Sequence, residues 1–242
     1  DLVVWSETSV PSELLDNSDR MNKIYSMLSD KKCGLLCGTF YTEKGKTYNA
    51  AVYIDSDYIS TYFKQHLVPF GEYVPMRRLI ETVLPFLTDI NMLSSDLEAG
   101  KESLPVETPH GKISTLVCFD SIFSHLARRS VKNGGELIII ITNDSWYKES
   151  TALRHHNAQA VFRAVENGRY TVRCANSGIS SFVDPRGRVL EQTEPLDTVT
   201  LTRAVGLIQN KTLYTVIGNL FTPASVLFVV MYFAVYKKKS PH

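Results

Sequence analysis

An apolar run at Ile113 to Cys118 is followed by a helix-patterned stretch at Ser121 to Asn133, a second apolar run at Leu137 to Ile141 and a second helical stretch at Thr151 to Glu166. Such alternation admits few architectures. Short apolar runs must pair into a sheet, and the helices between them need an apolar surface to cover. The spacing therefore predicts a parallel or mixed sheet with helices packed on it. Three more strands are expected at Tyr170 to Cys174, Ile179 to Asp184 and Arg188 to Gln192, the last two joined by the turn Pro185-Arg-Gly187. The fold class is α/β.

The first half reads as a strand at Asp1 to Trp5, a helix between Asp16 and Asp30 with Asn17, Ser18 or Asp19 as its N-cap, and a meander of strands at Cys33 to Tyr41, Tyr48 to Ile54 and Tyr58 to Phe63. Residues 64–111 are rich in turn formers, with a short helix expected over Met76 to Leu87. A chain of 242 residues fits one large domain, expected over 1–205. The opening strand is already running at Asp1 with no initiator Met, so further sequence is expected upstream.

Composition narrows the function classes. Hydrophobic residues make up 44% and charged residues 21%, which excludes a disordered chain. With 26 basic against 25 acidic residues and no basic stripe, nucleic acid is not an expected partner. Four cysteines do not make a disulfide scaffold, and Cys33 and Cys37, four apart in one strand, would sit roughly 13 Å apart. They and Cys174 read as buried thiols, and no Cys/His spacing suggests a metal.

Thr212 to Tyr236 contains no charged residue and is followed at once by Lys237, Lys238 and Lys239. A helix over that span would match the ~30 Å hydrocarbon core of a bilayer. The lysines place its C-terminal end in the cytoplasm, with 237–242 as a cytoplasmic tail and the domain facing outward. A buried core helix is the alternative, and Gly218, Asn219 and Pro223 weaken the first third of the span.

Three reactive side chains stand at the C-terminal ends of separate strands, where ligand sites gather in α/β sheets. Cys118 sits at a strand-to-helix turn, which exposes a thiol beside backbone N–H groups able to bind an oxyanion. Glu7 follows Val3-Val4-Trp5-Ser6, and a carboxylate against apolar walls suits a base that must take a thiol proton. Lys64 leaves the strand ending at Phe63 and offers a compact positive charge to a tetrahedral intermediate. Taken singly, each has a plainer reading: a small core residue, a solvated glutamate and a solvated lysine.

The order Glu, Lys, Cys in these contexts resembles the nitrilase, or carbon–nitrogen hydrolase, superfamily. The segment Lys64-Gln-His-Leu-Val-Pro-Phe-Gly-Glu-Tyr-Val-Pro75 is similar to a signature of its apolipoprotein N-acyltransferase branch. So are Thr142-Asn-Asp-Ser-Trp146, Phe162-Arg-Ala-Val-Glu-Asn-Gly-Arg169 and Cys174-Ala-Asn-Ser-Gly-Ile-Ser180, and together these run from Trp5 to about Arg188. The resemblance implies a four-layer αββα sandwich and a triad of Cys118, Glu7 and Lys64. It also implies a second essential glutamate at Glu72, an active-site tryptophan at Trp146, supporting positions at Phe119 and Asp120, and membrane helices before the domain and one after it. Two departures stand out: Phe119-Asp120 replaces the usual Tyr-Glu, and Trp5-Ser-Glu7 replaces Trp-Pro-Glu.

The activity implied is acyl transfer from a membrane phospholipid, through a Cys118 thioester, to the N-terminal amine of a diacylglyceryl-apolipoprotein. No cofactor is needed, and the chain is expected to act as a monomer at a bacterial inner membrane with its domain on the periplasmic side. Two rivals remain. A soluble amidase or nitrilase would use the same triad on a small amide or nitrile, without a membrane helix. A catalytically dead scaffold would keep only the fold.

Overall fold

The computed structural model describes residues 1–83 and 96–239, with side chains described through 82 and from 96 to 233. The strands are β1 (Leu2–Val4), β2 (Val10–Glu13), β3 (Gly34–Glu43), β4 (Lys46–Ile54), β5 (Ile59–Phe63), β6 (Val106–Thr108), β7 (Gly111–Val117), β8 (Leu137–Asn143), β9 (Thr171–Asn176), β10 (Ser181–Val183) and β11 (Val189–Gln192). The helices are α1 (Ser18–Lys31), α2 (Arg77–Val83), α3 (Ser124–Lys132), α4 (Ala152–Asn167), α5 (Leu213–Ile217) and α6 (Phe221–Lys239). The part of the expected Met76 to Leu87 helix beyond Val83 lies outside the described residues.

Two sheets form. One has the order β1-β3-β4-β5, with β2 also pairing β3; the other runs β11-β10-β9-β8-β7-β6. β8 is parallel to both its neighbours, as the strand-helix alternation requires, because each connection must cross over through a helix. Strand pleat then sorts the side chains into layers. Leu36, Ala51 and Tyr53 face Ile139, Ile141 and Val117 of the opposite sheet, forming the core between the sheets. The intervening residues Leu35, Cys37, Ala50 and Val52 turn outward to Met21 and Leu28 of α1. On the other side, Ile138 and Ile140 meet Leu126 and Val131 of α3 and Ala160 and Ala164 of α4. The result is the helix-sheet-sheet-helix sandwich expected.

Several details correct the sequence reading. The strand expected over Asp1 to Trp5 is shorter, Leu2–Val4, and lies at the end of its sheet, with Val3 and Trp5 about 40% exposed. Cys33 precedes β3 and is half-buried, as is Cys174, while Cys37 is buried; all four cysteines are free thiols. β2 and β6 were not expected.

The expected single helix over 212–236 divides in two. Thr212 caps α5 through its side chain, Gly218 follows with φ +76°, and α6 starts afresh at Phe221. Arg128 ties α5 to the domain by donating to the carbonyls of Tyr214 and Val216 at 2.9 and 2.8 Å. Phe221, Phe228 and Phe233 on α6 are exposed. Among the described residues no helix is long and apolar enough to cross a membrane.

Gly38 sits where β3 passes the turn after β1. A Cβ there would lie 2.5 Å from Glu7 Cα and 2.6 Å from Thr8 N, both backbone atoms that cannot swing aside. Gly38→Ala is therefore expected to lower stability by about 1–3 kcal/mol, the usual cost of overpacking, read as a lower denaturant midpoint at unchanged slope. An unchanged midpoint would show that the turn yields freely.

Candidate active site

Three strand ends and one loop bring the predicted residues together. After β1 the chain turns sharply, with Thr8 at φ +53°, and buries Glu7. Lys64 follows β5 directly. Its backbone N–H donates to the Asn49 carbonyl at 2.9 Å and its carbonyl accepts from the Gly100 N–H at 2.8 Å, so its backbone is fixed from both sides. Its side chain is 1% exposed, and Nζ donates to Glu7 Oε1 at 3.1 Å and to Glu72 Oε1 at 2.9 Å. Glu72 belongs to the loop after Lys64, and its other oxygen takes the Val68 N–H at 2.8 Å, closing that loop on itself.

A residue that the sequence reading missed completes the cluster. Asn49, on β4, donates from one nitrogen to Glu7 Oε1 at 2.8 Å and Glu72 Oε1 at 2.9 Å. Lys64 and Asn49 thus bridge the same two oxygens, and each of those oxygens is held by two donors. Glu7 Oε2 accepts from the Asn143 N–H at 2.7 Å. A polar residue within the otherwise apolar half of β4 was the available signal for Asn49.

Cys118 terminates β7 with φ +49° and opens a one-turn 3₁₀ helix, Cys118–Ile122. A non-glycine residue held in that region costs on the order of 1–3 kcal/mol and persists only where its surroundings fix it. Cys118, Glu7, Lys64, Glu72 and Asn49 line one cavity of about 500 Å³. Phe40, Val68, Leu97, Phe119, Trp146 and Tyr147 supply its apolar walls, with Trp146 largely exposed at the rim.

Asp120 is placed differently. It is fully buried and outside the cavity lining, and its carboxylate accepts from the N–H groups of Val117 at 3.3 Å and His66 at 2.8 Å and from the Tyr62 hydroxyl at 2.9 Å. It ties the nucleophile turn to the segment carrying Lys64.

The charges explain one another. Burial alone would push the Lys64 ammonium down, but the neighbouring groups Glu7, Glu72 and Asp120, joined by Cys118 once its thiol ionises, outweigh it and hold Lys64 well above the ordinary lysine value. Burial, reinforced by Glu7, pushes the Cys118 thiol up to about 12, with Lys64 only partly offsetting it. Burial also raises Asp120 to about 6 against the hydrogen bonds that favour its ionised form. At neutral pH the resting site is a thiol beside the Glu7 carboxyl group and a charged lysine. It can take a proton from sulfur as the sulfur attacks and place positive charge where negative charge develops, an arrangement suited to acyl transfer.

A model of the carbon-nitrogen hydrolase family matches residues 1–210. The apolipoprotein N-acyltransferase of Geobacter metallireducens is 34% identical over 249 residues, covering 100% of this chain and 47% of its own length. That of Gloeobacter violaceus is 33% identical, covering 94% and 42%, and that of Rickettsia prowazekii is 32% identical, covering 96% and 47%. The chain thus spans about half the length of the curated relatives it matches. Among solved structures, Saccharomyces cerevisiae Nit3, a member of branch 10 of the nitrilase superfamily, is similar with a TM-score of 0.61 at 21% identity over 82% of this chain and 74% of that one. The carbon-nitrogen hydrolase from Helicobacter pylori G27 gives 0.59 at 19% identity, over 80% and 73%. At these identities the structural likeness concerns the fold.

Because the Glu7 charge is one of the causes that raise the Cys118 thiol, removing it must lower that value. Titrating thiolate absorbance in Glu7→Gln should give a midpoint below that of the parent protein. A midpoint that stays or rises would contradict the electrostatic reading of the site.

Proposed function

The chain belongs to the carbon–nitrogen hydrolase family, and on that footing we propose that it is the catalytic part of an apolipoprotein N-acyltransferase. One observation carries the reading: a buried ammonium, clamped by two glutamates, shares a cavity with a cysteine at a strained strand-to-helix turn. The names of the curated relatives support the acyl-transfer reading over hydrolysis of a small amide.

In the first half-reaction Glu7 takes the Cys118 proton as sulfur attacks an ester carbonyl of a phospholipid. A C–S bond forms, and the carbonyl oxygen becomes an oxyanion held by the Lys64 ammonium and the Phe119 N–H. Two of the three Nζ protons already face carboxylates, which leaves one for the oxyanion. Collapse breaks the C–O bond, and Glu7 returns its proton to the departing lysophospholipid. In the second half-reaction the α-amine of the acceptor's lipidated N-terminal cysteine attacks the thioester. Glu7 takes a proton from nitrogen, the C–S bond breaks and the thiol is restored. Glu72 and Asn49 keep Lys64 and Glu7 in place throughout.

The apolar walls of the cavity suit an acyl chain, and the exposed apolar side chains of α6 suit lipid. We place α6 in the bacterial inner membrane, as the charge-free span and the lysines after it suggest, with the domain on the periplasmic side and the chain acting as a monomer.

Incubating the full-length protein with phospholipid vesicles should add the mass of one acyl chain to Cys118, and Cys118→Ala should abolish the adduct in a mass spectrum. An adduct that survives the substitution contradicts the assignment. Membrane extraction gives a second check: release by detergent but not by salt is expected, whereas release by salt alone favours the soluble amidase.

A further inference from the structure

Behind the cavity lies a second buried charged cluster that the steps above do not use. Asp144, His156 and Arg173 are each no more than 5% exposed, and none lines the cavity. Asp144 Oδ1 lies 2.9 Å from His156 Nδ1, and Asp144 Oδ2 accepts from Arg173 at 2.8 Å. Burial works against the Asp144 charge, but the His156 hydrogen bond and the Arg173 charge outweigh it and hold the carboxyl down at about 2. Burying three such groups together needs close pairing to offset their desolvation, so their arrangement is rigid.

The free end of this cluster points at the nucleophile's own peptide. His156 Nε2 lies 3.3 Å from the Cys118 carbonyl oxygen and 3.1 Å from Ser121 Oγ. The Ser121 hydroxyl donates to the same carbonyl at 2.7 Å. A carbonyl oxygen only accepts, and the Ser121 proton is already engaged, so Nε2 meets the Cys118 carbonyl as an N–H donor, while Nδ1 faces the Asp144 carboxylate and an Arg173 nitrogen at 3.1 Å. Two turns further along α4, Arg163 donates to the carbonyls of Ser121 and Ile122 at 3.0 and 3.1 Å. One helix face therefore grips three carbonyls of the turn, those of Cys118, Ser121 and Ile122.

That grip has a directional consequence. Among the described residues no peptide is cis, so the Cys118–Phe119 peptide is trans, and its C=O and N–H point in opposite directions. Anchoring the carbonyl on His156 and Ser121 aims the Phe119 N–H the other way, toward the cavity that Phe119 itself lines. We infer that His156 and Ser121 are positioning residues for oxyanion stabilisation: through the Cys118 carbonyl they set the direction of the Phe119 N–H, and the Asp144–Arg173 pair sets His156. This rests on Cys118 accepting an acyl group.

The test separates a step that makes an oxyanion from one that does not. In the full-length protein, Cys118 is acylated by p-nitrophenyl acetate, with release of p-nitrophenolate, and alkylated by iodoacetamide, which displaces iodide without any carbonyl addition. Ser121→Ala and His156→Leu should slow acylation by about tenfold to a hundredfold while alkylation stays within about twofold, since one weakened oxyanion donor costs on this order. His156→Gln, which retains an N–H at the end of its side chain, should recover most of the loss. Should His156→Leu not fold, Ser121→Ala carries the comparison, because it removes a single atom. Acylation and alkylation falling together, or acylation unchanged, overturns the proposal. A parent protein that takes no acyl group from the ester, yet is alkylated at Cys118, overturns the acyl-transfer reading and this inference with it.

Discussion

Everything in this candidate site depends on one lysine held between two glutamates. An ammonium removed from water is costly to keep charged, and two carboxylates side by side repel each other; together each offsets the other's penalty. Deleting one member of such a buried cluster typically costs about 3–5 kcal/mol, because it strands the remaining charge. Glu7 comes from the end of β1, Lys64 from the end of β5, Glu72 from the following loop and Asn49 from β4. Their mutual hydrogen bonds thus fix the register of one sheet's edge against its neighbouring loop as well as the geometry of the chemistry.

Cys118, the proposed nucleophile, is held by the other sheet. Cys118 stands in a backbone conformation that a non-glycine residue adopts only under constraint, and that constraint is visible on two sides. Asp120 draws the turn toward Tyr62 and His66, and His156 and Arg163 draw its carbonyls toward α4. The site is thus assembled across the sandwich, base and lysine from one sheet and thiol from the other. The high resting value of Cys118 follows from the same burial, and it fits a thiol activated during attack, with Glu7 taking its proton, better than a standing thiolate.

Much of this was legible in the sequence, and the reasons differ by residue. The strand-helix alternation after Ile113 identified the mixed sheet because buried parallel strands read as apolar runs. The positions of Glu7, Lys64 and Cys118 at strand ends suggested a site, but their joint meaning came from the resemblance carried by the Lys64 to Pro75 segment. Asn49 interrupts an apolar stretch, but that signal is weak because one asparagine in a strand has many uses. His156 belongs to no motif that the sequence shows, because its contacts join α4 to a turn 38 residues earlier in the chain. The charge-free span after Thr212 misled about continuity, since hydropathy cannot register that Thr212 caps one short helix, that Arg128 docks it and that Gly218 ends it.

The claim that one ammonium and one backbone N–H together receive the developing oxyanion is open to direct observation. A crystal structure of the full-length protein with a simple aliphatic aldehyde added to Cys118 as a hemithioacetal would place an oxygen where that charge forms. The account predicts this oxygen within about 3 Å of both Lys64 Nζ and the Phe119 nitrogen, with Nζ still bonded to Glu7 and Glu72. An oxygen turned away from Lys64, or a lysine that must leave either glutamate to reach it, would contradict it.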